Sequence, residues 1–239
     1  MANNTPRRPV LGILGGLGPA ASCYLYQMII DHTHAARDQD HIDLVISSRA
    51  STPDRTAFIL GQSDEDPFTV MEQDGRSLVA YGATVLAIPC NTANYFYDRL
   101  AAALPVPVLN MPALTVEEAR AAGCRKLGIL ATDGTLQAQT YQIMCQRAGL
   151  DWAVPSPPAQ AAVMSIIYDQ IKQGRWVDRA RWDAAVADLA AQGCDRAVLG
   201  CTELSLVKRD EGLGDFFIDS TEVLCRHALL ACGVQPVGF

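Results

Sequence analysis

The sequence predicts an α/β protein of two similar domains related by pseudosymmetry, each a parallel sheet with helices on both faces, with the functional site in the cleft between them. Three observations carry this. Leu11-Gly12-Ile13-Leu14 returns letter for letter as Leu127-Gly128-Ile129-Leu130. A glycine, an apolar run and a cysteine recur as Gly82 to Cys90 and Gly193 to Cys201, at nearly the same offset. Short apolar runs alternate with amphipathic helical patterns, which is the signature of strands joined by crossover helices. A repeat of two units, rather than a longer array, follows.

In order along the chain, residues 10–14 read as a buried strand, broken by Gly15-Gly16-Leu17-Gly18-Pro19, and 20–36 as a helix. Residues 42–48 are the next strand. Ser51-Thr52-Pro53-Asp54-Arg55-Thr56 reads as a loop, because Pro53 interrupts regular pairing. A polar loop at 61–67 precedes a helix at 71–81. Then come a strand at 85–89, a helix at 93–103 and a proline-bounded strand at 106–109. The second unit restarts at 127–130, followed by the turn Ala131-Thr132-Asp133-Gly134-Thr135, a helix at 182–192 and a strand ending at Gly200. The last strand and helix, 216–219 and 221–232, are expected to fold back onto the first unit. The domain limits are therefore 1–106 plus 218–239, carrying Cys90, and 107–217, carrying Cys201. Right-handed crossovers gather the loops after Leu14, Ser48, Pro89, Leu130 and Gly200 at the C-terminal sheet edges, where ligands bind in such folds.

With 239 residues and 49% hydrophobic side chains the chain can bury two cores. The polar N-terminus lacks a signal-like apolar stretch, and no apolar run approaches the ~18–20 residues of a membrane span, so a cytoplasmic protein is expected. A formal charge of −7 argues against nucleic-acid and membrane partners, which call for a basic face. The eight cysteines include no C-x-x-C and no pairing with histidine at zinc spacing.

Gly16-x-Gly18-x-x-Ala21 resembles a dinucleotide fingerprint, but the second strand ends without an acidic residue and Pro19 removes an amide. The glycines are better read as a wall that lets a small ligand lie against the backbone. Asp31-His32-Thr33-His34 places two histidines on different helix faces, with no third ligand; no metal is expected. Cys90 and Cys201 sit where strands hand over to polar residues. If helices start there, their N-termini lower the thiol pKa, and their amides with Thr92 and Thr202 suit a carboxylate. Two thiols on opposite sides of a tetrahedral carbon could remove a proton from one face and deliver one to the other. The alternative is a pair of buried cysteines in a duplicated fold.

The motifs Gly12-Ile13-Leu14-Gly15-Gly16-Leu17-Gly18-Pro19, Thr52-Pro53-Asp54-Arg55-Thr56, Pro89-Cys90-Asn91-Thr92-Ala93 and Gly200-Cys201-Thr202-Glu203 together resemble the aspartate/glutamate racemase superfamily, on the aspartate racemase side. The resemblance spans nearly the whole chain. It implies cofactor-independent racemisation of a small acidic amino acid, without pyridoxal phosphate, by a cytoplasmic homodimer. It implies Cys90 and Cys201 as the acid/base pair, and Arg55 and Lys172 as the cations for the side-chain carboxylate. Asn91, Thr92, Thr132 and Thr202 are then placed around the α-carboxylate and amino groups, and Glu203 beside Cys201 or the substrate ammonium. The chain departs from the family pattern at Ser48-Arg49-Ala50-Ser51, where Arg49 becomes a candidate second cation, and at Leu17 and Asn94. Glutamate or broad-specificity racemisation is the alternative among enzymes, and a two-lobed ligand-binding module the alternative outside them.

Overall fold

The repeated Leu-Gly-Ile-Leu segments become the central strands of two parallel sheets. The computed structural model describes residues 8–239. The first unit runs β1 (Val10–Gly15), α1 (Pro19–Asp31), β2 (Asp43–Ser48), α2 (Arg55–Ile59), α3 (Pro67–Ala80), β3 (Val85–Ala87), α4 (Tyr97–Ala103) and α5 (Met111–Ala121). The second runs β4 (Lys126–Ala131), α6 (Asp133–Gln137), α7 (Thr140–Ala148), β5 (Asp151–Ala153), α8 (Pro157–Ser165), α9 (Arg179–Ala191), β6 (Arg196–Gly200), α10 (Thr202–Glu211), β7 (Phe217–Asp219) and α11 (Ser220–Ala231).

Strand order is β2-β1-β3 in one sheet and β5-β4-β6-β7 in the other, all parallel. The correspondence goes down to register. Gly12 of β1 faces Val45 and Leu86, and Gly128 of β4 faces Ala153 and Ala197. Val108 adds a parallel bridge to Leu86 just as Ile218 pairs with Val198. The two cysteines follow equivalent strands, β3 and β6. Gly12 and Gly128 leave room for neighbouring side chains over each central strand: a Cβ at Gly12 would collide with Leu86 of β3 and lie 3.4 Å from Leu78 Cβ of α3, and one at Gly128 would lie 2.8 Å from Leu189 Cδ1 of α9.

Both faces of each sheet are covered. Leu11 and Ile13 pack against Leu25, Ile29, Leu224 and Leu229, while Leu86 and Ile88 pack against Leu78, Phe96 and Leu100. In the second sheet Leu130, Ala197 and Leu199 meet Trp182, Leu189 and Ile166; Leu127, Ile129 and Val198 meet Val116, Ala119 and Tyr141. Helices α5 and α11 therefore cross over. Val116 and Ala119 of α5 join the second core, and Leu224, Ala228 and Leu229 of α11 join the first. Full burial of such side chains is worth about 1.5–3 kcal/mol each, so this exchange ties the two units together. Among the described residues no helix is long and apolar enough to cross a membrane.

Several local expectations are corrected. Arg55 and Thr56 begin a helix rather than lie in a loop, because Asp54 caps it by accepting from the Ala57 amide at 2.8 Å. The helix expected at 93–103 is a 3₁₀ turn, Thr92–Phe96, followed by α4. The strand expected at 106–109 is reduced to the Val108 bridge. The last strand stays with the second sheet, where Ile218 pairs with Val198, and only α11 returns to the first. Strand β5 carries just three residues, too few for a periodic signal.

Asp219, the N-cap of α11, is 1% exposed; its Oδ1 accepts from Ser205 Oγ at 2.6 Å and the Thr221 amide at 2.8 Å, and its Oδ2 has no partner among the described residues. Burial first, and then the charge of Glu222, push this carboxyl up to about 6. A raised folded-state pKa contributes stability that is fully present below the unfolded value near 3.8 and is lost as pH rises through about 6. Thermal melts of wild type and Asp219→Asn should therefore diverge with pH. The advantage of wild type over the variant should shrink by roughly 3 kcal/mol between pH ~4 and ~7; a pH-independent difference contradicts the assignment.

Candidate active site

The two cysteines that follow β3 and β6 border one cavity between the sheet edges. Cys90 is 7% exposed and Cys201 6% exposed. Cys90 lies three residues beyond β3, and Asn94 Nδ2 donates to its carbonyl at 2.9 Å, fixing the turn that presents the thiol. Cys201 is the extended N-cap residue of α10. The residues singled out from sequence, Arg55, Asn91, Thr92, Thr132, Lys172, Thr202 and Glu203, line the same cavity with the two thiols.

The charged groups form a chain. Lys172 Nζ lies 2.8 Å from Glu203 Oε1, and the Cys201 thiol donates to Glu203 Oε2 at 3.0 Å. Burial disfavours the Lys172 ammonium, but the charge of Glu203, and then the neighbouring thiols, carry its pKa above the ordinary lysine value. Glu203 is held below the usual carboxylate range: burial works against its charge, and Lys172 with the Cys201 hydrogen bond overcomes that. Cys201 reverses the sequence expectation. Burial and then the Glu203 carboxylate push its thiol well above the ordinary value, outweighing the helix N-terminus. Cys90 has no α-helix start beside it; the turn that follows is 3₁₀, with Asn91 at its cap position.

A second group is held by hydroxyls. Thr92 Oγ1, from the first unit, lies 3.0 Å from both Thr132 Oγ1 and Thr135 Oγ1 of the second, and those two are 3.0 Å apart. Asn91 Nδ2 donates to Ser220 Oγ at 3.0 Å, and Tyr141 Oη donates to Asn91 Oδ1 at 2.5 Å. Arg55 donates from Nη1 to the Thr52 and Pro53 carbonyls and from Nη2 to that of Leu17, at 2.9–3.1 Å, while its buried Nε has no partner among the described residues. Arg49 is a correction. Its guanidinium pairs with buried Asp74 at 2.6–3.0 Å, so it braces α3 instead of entering the cavity.

Sequence reasoning did not single out Thr135, Tyr141, Tyr168 or Ser220 as site residues. Each acts on the site across a long stretch of chain, and only Thr135, three residues beyond Thr132, could have been found as a local capping partner. Tyr168 Oη donates to Thr56 Oγ1 at 3.2 Å, bridging the two units beside the cavity. A π-helical turn, Ile166–Gln170, sets both Tyr168 and the following Lys172 toward the cleft. The free space between these walls is only about 20 Å³, room for about one water. An amino acid enters only when the walls part.

A family model described as Asp/Glu/Hydantoin racemase matches residues 14–228. The chain is 29% identical over 205 residues, 83% of its length and 87% of the relative's, to a broad specificity amino-acid racemase of Bacillus subtilis. It is 31% identical to a glutamate racemase of Pseudomonas paraeruginosa over 57% of this chain and about half, 52%, of that relative. The solved structure of a Picrophilus torridus aspartate racemase superposes with a TM-score of 0.82 at 22% identity, covering 96% of both chains. At that identity the superposition speaks for the fold alone: two α/β domains with parallel sheets flanked by helices.

Closure of the cavity relies on Gly134. A Cβ there would lie 2.9 Å from both Cα and Oγ1 of Thr56, and the contact to main chain has no cheap way to relax. Gly134→Ala should hold the units apart. In native protein, Ellman's reagent should titrate exposed Cys23 at once and the buried thiols slowly; the variant should add Cys90 and Cys201 to the fast class. Unchanged protection of both thiols contradicts the closing role.

Proposed function

We propose, for a chain that belongs to the Asp/Glu/hydantoin racemase family, that it interconverts L- and D-aspartate by passing the Cα proton between two thiols. The observation that carries this is one buried cavity bordered by a cysteine from each sheet. In one direction the Cys90 thiolate removes the α-proton while the Cys201 thiol delivers its proton to the opposite face of the carbon. In the other direction the roles exchange. The carbanion-like charge develops on the α-carboxylate; the Thr202 hydroxyl and the second Asn91 amide hydrogen supply donors for it, joined by Thr92 and Thr132 when substrate opens their hydroxyl ring. Exclusion of water strengthens each of these contacts.

Arg55 is the group proposed to select the side-chain carboxylate. Three backbone carbonyls lock its guanidinium, and the unpartnered Nε remains to donate. Lys172 adds positive charge at the same wall. The reading needs no pyridoxal phosphate. Among the described residues each of the three lysines already has a partner, Lys126 the Gln192 carbonyl, Lys172 Glu203 and Lys208 Glu222, all at 2.7–2.8 Å, which supports that reading. Eight cysteines outside any disulfide fit a reducing compartment, and a cytoplasmic homodimer is part of the proposal.

Broad specificity is the second reading, favoured by the Bacillus subtilis relative and by Glu203, which already neutralises Lys172. Circular-dichroism time courses with the enantiomers of aspartate, glutamate and alanine decide between them. Aspartate should exceed glutamate by about 10–200-fold in kcat/KM, the discrimination one methylene allows; equal rates across the three favour broad specificity, and binding without loss of optical activity favours a ligand-binding module.

Cys90→Ala and Cys201→Ala should each abolish two-way racemisation, with one variant retaining exchange of the α-proton of a single enantiomer with deuterated solvent. Undiminished racemisation in either removes the two-thiol scheme. Arg55→Lys, which keeps the charge but loses the planar fork, should lower kcat/KM for aspartate by roughly 100-fold, about 2.7 kcal/mol. A loss below about threefold would show that Arg55 does not hold the carboxylate.

A further inference from the structure

We propose that Glu203 is a positioning residue for Cys201 rather than a substrate contact, and that it makes the two thiols unequal in the resting protein, keeping the proton on Cys201. The proposal rests on the two-thiol reading above and sharpens it. Glu203 is 7% exposed and spends both oxygens within the protein: Oε1 on Lys172 at 2.8 Å, Oε2 on the Cys201 thiol at 3.0 Å and, more distantly, on Thr202 Oγ1 at 3.5 Å. A buried carboxylate so occupied has little left to offer a substrate ammonium. Gly18 supplies the room. A Cβ at that position would stand 2.9 Å from Oε1, so a side chain there would make the Oε1 end of the carboxylate shift.

The S–H to carboxylate bond favours the thiol over the thiolate. Ionising Cys201 would set two buried anions side by side with one ammonium to share. The titratable and charged groups that line the cavity with Cys201 are Glu203 on its own helix, Lys172 and Tyr168 from the segment after α8, Asp54 and Arg55 at the start of α2, and Cys90. Of these only Glu203 is hydrogen-bonded to the sulfur among the described residues. No carboxylate is hydrogen-bonded to Cys90 there; its turn carries Asn91, Thr92 and Asn94 instead.

The resting protein is therefore poised with Cys201 as acid and Cys90 as base. It is ready for the enantiomer whose Cα–H faces Cys90. After one turnover Cys90 holds the substrate proton as S–H and Cys201 is a thiolate. Solvent then takes a proton from Cys90 and returns one to Cys201, and no other reactant is needed. Charge repulsion from Glu203 drives that reset.

The test is alkylation of native full-length protein by iodoacetamide, with the peptides containing Cys90 and Cys201 quantified by mass spectrometry between about pH 7 and pH 10. Both sulfurs border the same cavity, and the pH dependence of each rate, rather than its absolute value, separates protonation from access. In wild type Cys201 should react more slowly than Cys90 near pH 8, with a midpoint at higher pH. Glu203→Gln keeps an acceptor oxygen but removes the charge. It should speed Cys201 by at least about tenfold near pH 8, equivalent to one pKa unit, and leave Cys90 within about twofold. Glu203→Asp, which keeps the charge, should restore part of the protection of Cys201. A pH midpoint for Cys201 alkylation at or below that for Cys90 in wild type overturns the proposal without any variant. So does an unmoved Cys201 profile in Glu203→Gln, or an equal rise at both thiols. These outcomes do not depend on turnover. A protein with the expected labelling but no racemisation would instead sink the two-thiol reading.

Discussion

Three hydroxyls close the site. Thr92 comes from the turn after β3, Thr132 from the end of β4 and Thr135 from α6, and each oxygen is 3.0 Å from the other two. A hydroxyl has one proton to give, so a ring of three can satisfy itself only when both units are in place. The approach of Gly134 to Thr56 and the hydrogen bond from Tyr168 to Thr56 clamp the same seam. Everything proposed for the thiols depends on this seam. A thiolate is a weak base toward an α-proton, and only a cavity without bulk water lets fixed donors and charges compensate.

That dryness has a cost the charged residues must meet. Taking the buried Glu203 out of water costs several kcal/mol, and its attraction to the partly exposed Lys172 ammonium offsets this only with good geometry and further hydrogen bonds. The 2.8 Å contact and the Cys201 and Thr202 donors provide both. The pair is thus weak support for stability and strong support for a specific arrangement. Removing Lys172 leaves Glu203 buried and unpaired, and removing Glu203 takes the carboxylate from Cys201, which is why changes at either are best interpreted through the protonation of Cys201.

Much of this was legible in the residues. Two copies of Leu-Gly-Ile-Leu identified the two central strands, and the two Gly-to-Cys segments identified equivalent strands carrying the thiols, because a doubled fold repeats its sheet interior. What local pattern could not show was contact between distant segments. Asn91 is held by Tyr141 and Ser220, 50 and 129 residues away. Arg49 looked like a free cation until Asp74, on α3, claimed it. The expected lowering of the Cys201 thiol failed for a related reason: a helix N-terminus is a local feature, whereas burial and the Lys172–Glu203 chain come from the assembled cleft.

The central claim is that two groups, not one, handle the proton. L-Aspartate turned over in deuterated water to low conversion tests it most directly, with both enantiomers separated and analysed by mass spectrometry. The account predicts D-aspartate carrying one deuterium at Cα while the remaining L-aspartate keeps its protium. D-Aspartate that retains the original protium, or deuterium spread equally through both enantiomers, would show a single base at work and contradict the account.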